Sequence, residues 1–195
     1  ISNELNILPT LDHPSIISFL SANHDEKYIY LAFEFIQGGD LFTLLRVENK
    51  FSLDKAQFYA GQIVFVLDYL HSKNIIYRNL KPENILINKN GYIKLTDFSL
   101  SKVIEDRTYT MCGTPGYLAP EIILNKGYGL SVDWWAFGIL LMIFILNASE
   151  NINLRRTNMG WKIKASRYVE VCKQTFKRKT KYKNSPPWKG KRIYL

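Results

Sequence analysis

Apolar and polar positions change period several times along the chain, and each change marks an element. Ile1, Leu5 and Leu8 share one face at helical spacing, which predicts a short helix brought to an end by Pro9 and the turn-forming Asp12-His13-Pro14. Residues 15–22 and 27–35 are rich in β-forming side chains and flank the polar Asn23-His24-Asp25-Glu26, the pattern of a hairpin. Gly38-Gly39 breaks that pattern. Ser52 has the chemistry of an N-cap, and residues 53–72 carry Phe58, Ile63, Val64, Val66, Leu67 and Leu70 at helical spacing, so the longest central helix is expected there. Residues 85–87 and 92–95 predict a second hairpin around Asn88-Lys89-Asn90-Gly91. A loop over 97–113 and an apolar helix over about 132–145 follow, after which no period is sustained beyond Leu154.

Composition narrows this. A chain of 195 residues, 47% hydrophobic and 22% charged, has the make-up of a globular protein with one core. The longest apolar run, 136–146, is little more than half of a bilayer span, so a soluble protein is expected, in the cytoplasm or nucleus. Cys112 and Cys172 have neither disulfide density nor metal-ligand spacing and are expected to be free thiols in a reducing compartment. The sequence opens on Ile1, inside a helical pattern, and reads as the recorded part of something longer. Net charge is +9, but it belongs to one end: from residue 151 onward there are fourteen Lys/Arg against the single acid Glu170, while the preceding 150 residues carry twelve against sixteen acids. That asymmetry places a boundary near residues 148–154.

The chemistry lies between the two hairpin strands and the loop after them. Phosphoryl transfer needs positioning and charge neutralisation, hence oxygen ligands for Mg²⁺ and a cation at the phosphates. Asn84 and Asp97 can supply the oxygens and Lys81 the cation. Tyr77-Arg78-Asn79-Leu80-Lys81-Pro82-Glu83-Asn84 resembles the catalytic loop of the eukaryotic protein kinases, and Asp97-Phe98-Ser99 their metal-binding triplet. Gly113-Thr114-Pro115 through Ala119-Pro120-Glu121 resembles the end of the activation segment, and Ser131-Val132-Asp133-Trp134-Trp135 the start of the anchor helix of the large lobe. Four motifs in family order make a specific signal. Tyr69-Leu70-His71, Tyr77, the Tyr117 to Glu121 stretch and the paired tryptophans are similar to the cAMP-dependent branch of the AGC group, over residues 1–146.

The resemblance implies an α+β fold: a partial small lobe over 1–35, a mostly helical large lobe over 36–147 truncated after its anchor helix, and a basic tail over 148–195, read as disordered. It implies ATP and Mg²⁺ as cofactors. Glu4 would be the carboxylate that pairs the ATP-holding lysine; the hinge holding Glu34 and Ile36 would bind adenine through its backbone, with Leu86 and Thr96 bordering the same pocket. Leu8, Phe19, Tyr77 and Phe98 would form the hydrophobic spine joining the lobes, anchored on Asp133 as a buried acceptor of backbone hydrogen bonds. Thr110 matches the activating phosphosite, with Arg78 and Lys102 to hold its phosphate, although an ordinary exposed threonine fits the position too. Asp40 and Glu83 match acids that read basic substrates, but Gly116 and Ile143 stand where two further acids are expected.

Departures from the family pattern decide what activity to expect. The family carries aspartate at position 79, where it orients the substrate hydroxyl and accepts its proton; Asn79 has no charge and no useful basicity. Loss of a general base costs about 10²- to 10⁴-fold in rate, so a pseudokinase is expected. Ser99 replaces the glycine of the triplet, where a Cβ is expected to restrict the backbone. No glycine-rich loop and no small-lobe lysine occur in the sequence, which leaves Glu4 without its lysine and puts nucleotide binding in question. Glu121 is expected to be a buried carboxylate short of the arginine that would satisfy it.

Expected partners are protein substrates or a kinase regulatory subunit, the latter through residues 110–121. In the tail, Lys173, Lys177, Arg178, Lys179, Lys181 and Lys183 are interleaved with Phe176 and Tyr182. Such a stretch can contact nucleic acid or an anionic membrane. A solvated, unfolded stretch is the favoured reading, since no nucleic-acid-binding fold surrounds it.

Overall fold

The computed structural model describes residues 2–146. Ile1, Cys172 and the basic tail of 148–195 lie outside the described residues.

Helix α1 (Ser2–Ile7) passes into a 3₁₀ turn, Leu8–Thr10, at the proline that cannot continue it. Strands β1 (Phe19–His24) and β2 (Ile29–Phe33) pair antiparallel with Phe19 opposite Phe33 and His24 opposite Ile29. The turn falls two residues later than the sequence suggests, because the Asp25 carboxylate accepts the backbone N–H groups of Lys27 and Tyr28, both at 2.7 Å. Residues 15–17 do not extend β1. The Ile17 N–H donates to Leu95 O at 2.9 Å and the Leu95 N–H to Ser15 O at 2.7 Å, so this segment docks on the second hairpin and ties the strand-bearing part to the helical one.

The second hairpin, β4 (Ile85–Ile87) and β5 (Ile93–Leu95), turns through Asn88 to Gly91 as expected, with Asn88 Oδ1 accepting from Asn90 and Tyr92. Three elements have no clear sequence signature. Helix α2 (Leu41–Glu48) starts at Asp40, whose carboxylate accepts the Thr43 N–H at 2.8 Å and its hydroxyl at 3.0 Å, and it buries Leu41 and Leu45. Strands β3 (Ile75–Ile76) and β6 (Lys102–Val103) form a two-residue ladder.

Helix α3 (Leu53–Ser72) runs over the predicted span, with the Ser52 hydroxyl accepting the Lys55 N–H at 3.4 Å. Its buried face is Ala56, Tyr59, Ala60, Ile63, Val64, Val66, Leu67 and Leu70. Phe58 is not on that face; it is partly exposed and packs its ring against Tyr92 at 5.6 Å. Buried Gln62 joins α3 to β5 by accepting the Ile93 N–H at 2.9 Å while donating to Phe58 O at 3.1 Å. Helix α5 (Ser131–Leu146) packs against α3 and is apolar almost all round, as a helix inside a core must be. Phe144 closes this core on Phe51, ring centroids 5.2 Å apart. A short helix α4 (Pro120–Ile123) precedes α5.

Glu121 is half-buried rather than buried, and no buried side-chain nitrogen or oxygen lacks a hydrogen-bond partner among the described residues. The expected cost of an orphaned Glu121 carboxylate therefore does not arise.

Between the first helix and β1, His13 accepts the Ser15 N–H on Nδ1 at 3.0 Å and lies against the Tyr69 ring at 4.9 Å. Burial, and then the Lys94 ammonium, push its pKa down from 6.5 to about 4. A group whose folded pKa lies below its unfolded one contributes stability above pH 6.5 and loses it as pH falls toward 4. Urea midpoints of the natural chain are expected to drop across that window, and those of His13→Gln to drop less; equal profiles would overturn this assignment.

Candidate active site

Asp133 organises the site. Its carboxylate is 1% exposed and accepts the Tyr77 N–H at 2.9 Å, the Arg78 N–H at 2.8 Å and a hydrogen bond from His71 Nε2 at 2.8 Å. Two consecutive amides aimed at one carboxylate force the loop to turn sharply, and Arg78 takes a left-handed φ of 65° that a side chain rarely tolerates. The sequence-based expectation of a buried acceptor at Asp133 is met, and it explains how the loop is held. Tyr77 is fully buried, stacks edge-on against Phe98 at 5.2 Å and donates its hydroxyl to Thr96 O at 2.6 Å. Burial, reinforced by the charge of Asp97, raises the Tyr77 pKa far above its usual value, so the phenol stays a donor. Leu8 and Phe98 are buried in the same core, with Phe19 packed against it, so all four spine residues belong to one cluster.

The loop so held delivers Asn79, 5% exposed, to Asp97. Asn79 Nδ2 donates to Asp97 Oδ2 at 2.7 Å. An ionised carboxylate only accepts, so the amide must present its NH₂ group rather than its oxygen. Ser99 holds the other oxygen: its hydroxyl donates to Asp97 Oδ1 at 2.5 Å and its N–H to the same atom at 3.3 Å. Ser99 has no positive φ here, so its Cβ is accommodated without backbone strain, whereas Asp97 itself sits at φ 55°. Asn84 Nδ2 donates to Asn79 O at 2.9 Å, which fixes the side chain of the second oxygen donor. Asp97 and Asn84 are thus brought beside Asn79 as expected, and hard oxygen donors are the right type for Mg²⁺. The fit is poor in one respect: both Asp97 oxygens already accept from protein donors, one on Oδ2 and two on Oδ1. No group of three or more His, Cys, Asp or Glu with metal-ligand geometry occurs among the described residues.

Lys81 is half-buried ahead of the 3₁₀ turn Pro82–Asn84. Glu4 has a partner after all: its Oε1 accepts the Phe98 N–H at 3.1 Å, linking α1 to the triplet. The Glu34 carboxylate is likewise engaged, with Lys94 at 2.6 Å and the Ser18 N–H at 2.7 Å. Burial pushes that carboxyl up, but Lys94 and Ser18 more than offset it and the net shift is downward. The Glu34 side chain is therefore spent on structure, and only backbone remains to contact a ligand there. Ile36 and Leu86 are half-buried against the main core, and the Thr96 N–H donates to Asn84 O at 3.0 Å. Asp40 is the α2 cap described above, while Glu83 is exposed, with its charge helping burial to raise the Tyr117 pKa.

At the other side of the loop, Arg78 Nε donates to Leu100 O at 2.7 Å and Nη1 to the Tyr128 hydroxyl at 3.2 Å. That hydroxyl in turn donates to Thr110 O, and Cys112 Sγ lies 3.8 Å from it. Arg78 therefore reaches Thr110 through Tyr128, and Lys102 bonds Thr108 Oγ1 at 3.3 Å instead. Tyr128 carries no motif and was missed by sequence reasoning. Ser99 was noticed only for its Cβ, although a hydroxyl two residues from a carboxylate is the signal of a local side-chain bond.

A family model of the protein kinase domain matches residues 1–190, and the chain belongs to the protein kinase family. Its similarity is to the cAMP-dependent type. The chain is 55% identical to the "cAMP-dependent protein kinase catalytic subunit" of Dictyostelium discoideum over 141 residues, which cover 72% of this chain and 22% of that one. It is 52% identical to the mouse catalytic subunit PRKX, covering 40% of that protein, and 50% identical to catalytic subunit 3 of Drosophila melanogaster, covering 24%. The chain thus spans well under half the length of these relatives. The mixture of a strand-bearing part and a mostly helical part agrees with the α+β kinase fold expected from the motifs.

Proposed function

We propose that the chain is a serine/threonine protein kinase domain of the cAMP-dependent type whose phosphoryl transfer is impaired to the level of a pseudokinase. One observation carries this reading: the amide of Asn79 is buried and donated to Asp97 at 2.7 Å, so the position from which a substrate hydroxyl would lose its proton presents no anion. Within this reading, residues 1–35 are a small lobe, 36–147 a large lobe and 148–195 a basic extension. Lys81 faces the phosphates, the backbone around Glu34 and Ile36 meets adenine beside Leu86 and Thr96, and Glu4 orders the triplet. Asn84 and Asp97 stand at the Mg²⁺ position of the family pattern; the ion, when bound with ATP, would neutralise charge on the transferring group, and the donors already on Asp97 weaken its hold there. Thr110 takes a regulatory phosphate near Arg78 and Lys102, and Asp40 and Glu83 face a basic protein substrate. The protein works in the cytoplasm or nucleus.

A second reading, a non-catalytic module that binds kinase partners, is favoured by one feature. Tyr109, Met111, Ile123 and Leu124 expose large apolar side chains around the segment that would meet a regulatory subunit. Transfer of labelled phosphate from ATP and Mg²⁺ to a basic peptide separates the two. The natural chain is expected to be near background and Asn79→Asp well above it. Turnover by the natural chain at family-typical speed contradicts the proposal, and none in either form favours the binding module.

A further inference from the structure

Both departures from the family pattern in this site, Asn79 and Ser99, end on the same group. Each places a hydrogen-bond donor on a different oxygen of Asp97: the amide on Oδ2 at 2.7 Å, the hydroxyl on Oδ1 at 2.5 Å, with the Ser99 N–H adding a third bond at 3.3 Å. Neither an aspartate at 79 nor a glycine at 99 could make those side-chain bonds. An aspartate at 79 would instead set two carboxylates within hydrogen-bonding distance, an arrangement that demands a shared proton or a cation between them.

From this we infer that Asn79 and Ser99 cap Asp97 and take the place of the divalent ion, so that the site holds its arrangement without metal and binds metal weakly. The inference rests on the assignment of Asp97 to the metal position made above. The capping is local and reaches both oxygens, with about one of the four carboxylate lone-pair sites left open: Asp97 is held in its left-handed turn by the Ser99 hydroxyl two residues on, and the loop bearing Asn79 is held separately by Asp133. A cation approaching Asp97 meets the positive ends of an N–H and an O–H dipole where it would need bare lone pairs. It must displace or share them, and charge-assisted bonds of this kind are the strong class. Asn84, whose NH₂ group is committed to Asn79 O at 2.9 Å, leaves one neutral oxygen, too weak a donor to hold the ion alone.

Mn²⁺ serves as the probe, read by electron paramagnetic resonance on the full chain without nucleotide or peptide. The natural chain is expected to bind Mn²⁺ no more tightly than Asp97→Ala, and to melt at the same temperature with Mn²⁺ or with EDTA. Asn79→Asp and Ser99→Gly are each expected to tighten binding at least about tenfold, the gain vanishing when Asp97→Ala is added. Asn79→Asp is further expected to melt lower in EDTA and recover with Mn²⁺. Ser99→Gly leaves the loop of Asn79 untouched and carries the test alone if Asn79→Asp does not fold. Natural-chain binding that is abolished by Asp97→Ala and matches that of the variants would overturn the capping, as would variants that gain nothing. Because no phosphate transfer is read, a slow natural chain with tight Mn²⁺ binding refutes only the capping, and a fast one with weak binding refutes only the impairment.

Discussion

Asn79→Asp is expected to raise the rate of phosphoryl transfer about 10²- to 10⁴-fold over the natural chain, the range that a positioned general base contributes. The geometry for that gain is already built. Residue 79 is buried on a loop whose backbone is clamped by Asp133 at two consecutive amides, and its side chain ends 2.7 Å from Asp97. A carboxylate of nearly the same shape enters without moving the loop, and what changes is charge and basicity. The new anion faces Asp97, so the gain requires a divalent ion in the assay. Lys81 and Asn84 are unchanged in the variant, which differs from the natural chain in the proton acceptor and in the uncapping of Asp97, so the two are compared at saturating divalent ion. A smaller rise, with kcat and KM altered together, would place the effect of residue 79 in positioning instead.

The second large effect is on stability. Asp133→Ala is expected to cost about 3–5 kcal/mol, the range for breaking a buried charged network by removing one member. The carboxylate accepts three hydrogen bonds, and truncation leaves the amides of Tyr77 and Arg78 and the His71 imidazole without their acceptor. Against a total stability of roughly 5–15 kcal/mol for a domain, that is a large share of the margin. Arg78 is doubly exposed to this change, since its left-handed φ of 65° persists only while the carboxylate enforces it. Urea unfolding of the full chain checks it: the midpoint should fall by about 2 M, while Asp133→Asn, which keeps one acceptor oxygen, should fall less. A midpoint unchanged in Asp133→Ala would show that the loop is held by something else.

How far these features were legible in the sequence depends on how local their causes are. Helix α3 was legible to the residue, because Ser52 caps it and the apolar period runs unbroken to Leu70. The β4–β5 hairpin was legible from its Asn-rich turn. Helix α2 was not, since eight residues after a Gly-Gly break hold too short a period, and the capping role of Asp40, read from the family pattern as a substrate contact, emerged only with the fold. Strands β3 and β6 hold two residues each and exist only as a pair. Residues 15–17 read as part of the first strand, but they form only an isolated bridge at Ile16: their hydrogen bonds go to Leu95, far along the chain, which no local pattern encodes. The site divides in the same way. The motifs named Asn79, Asn84, Asp97 and Asp133 by residue type and spacing. The bond from Asn79 to Asp97, the acceptance of the Phe98 amide by Glu4 and the pairing of Glu34 with Lys94 join residues 18, 94 and 60 positions apart, and they emerged only with the fold.

The central claim is that a neutral amide donor stands where the reaction needs a proton acceptor. A single-turnover experiment puts it to the test directly: natural chain in excess over labelled ATP, saturating basic peptide and Mg²⁺, with Asn79→Asp alongside, so that the transfer step is read. The natural chain should transfer at least about a hundredfold more slowly than the variant. Equal rates, with contaminating kinases excluded, would contradict the account.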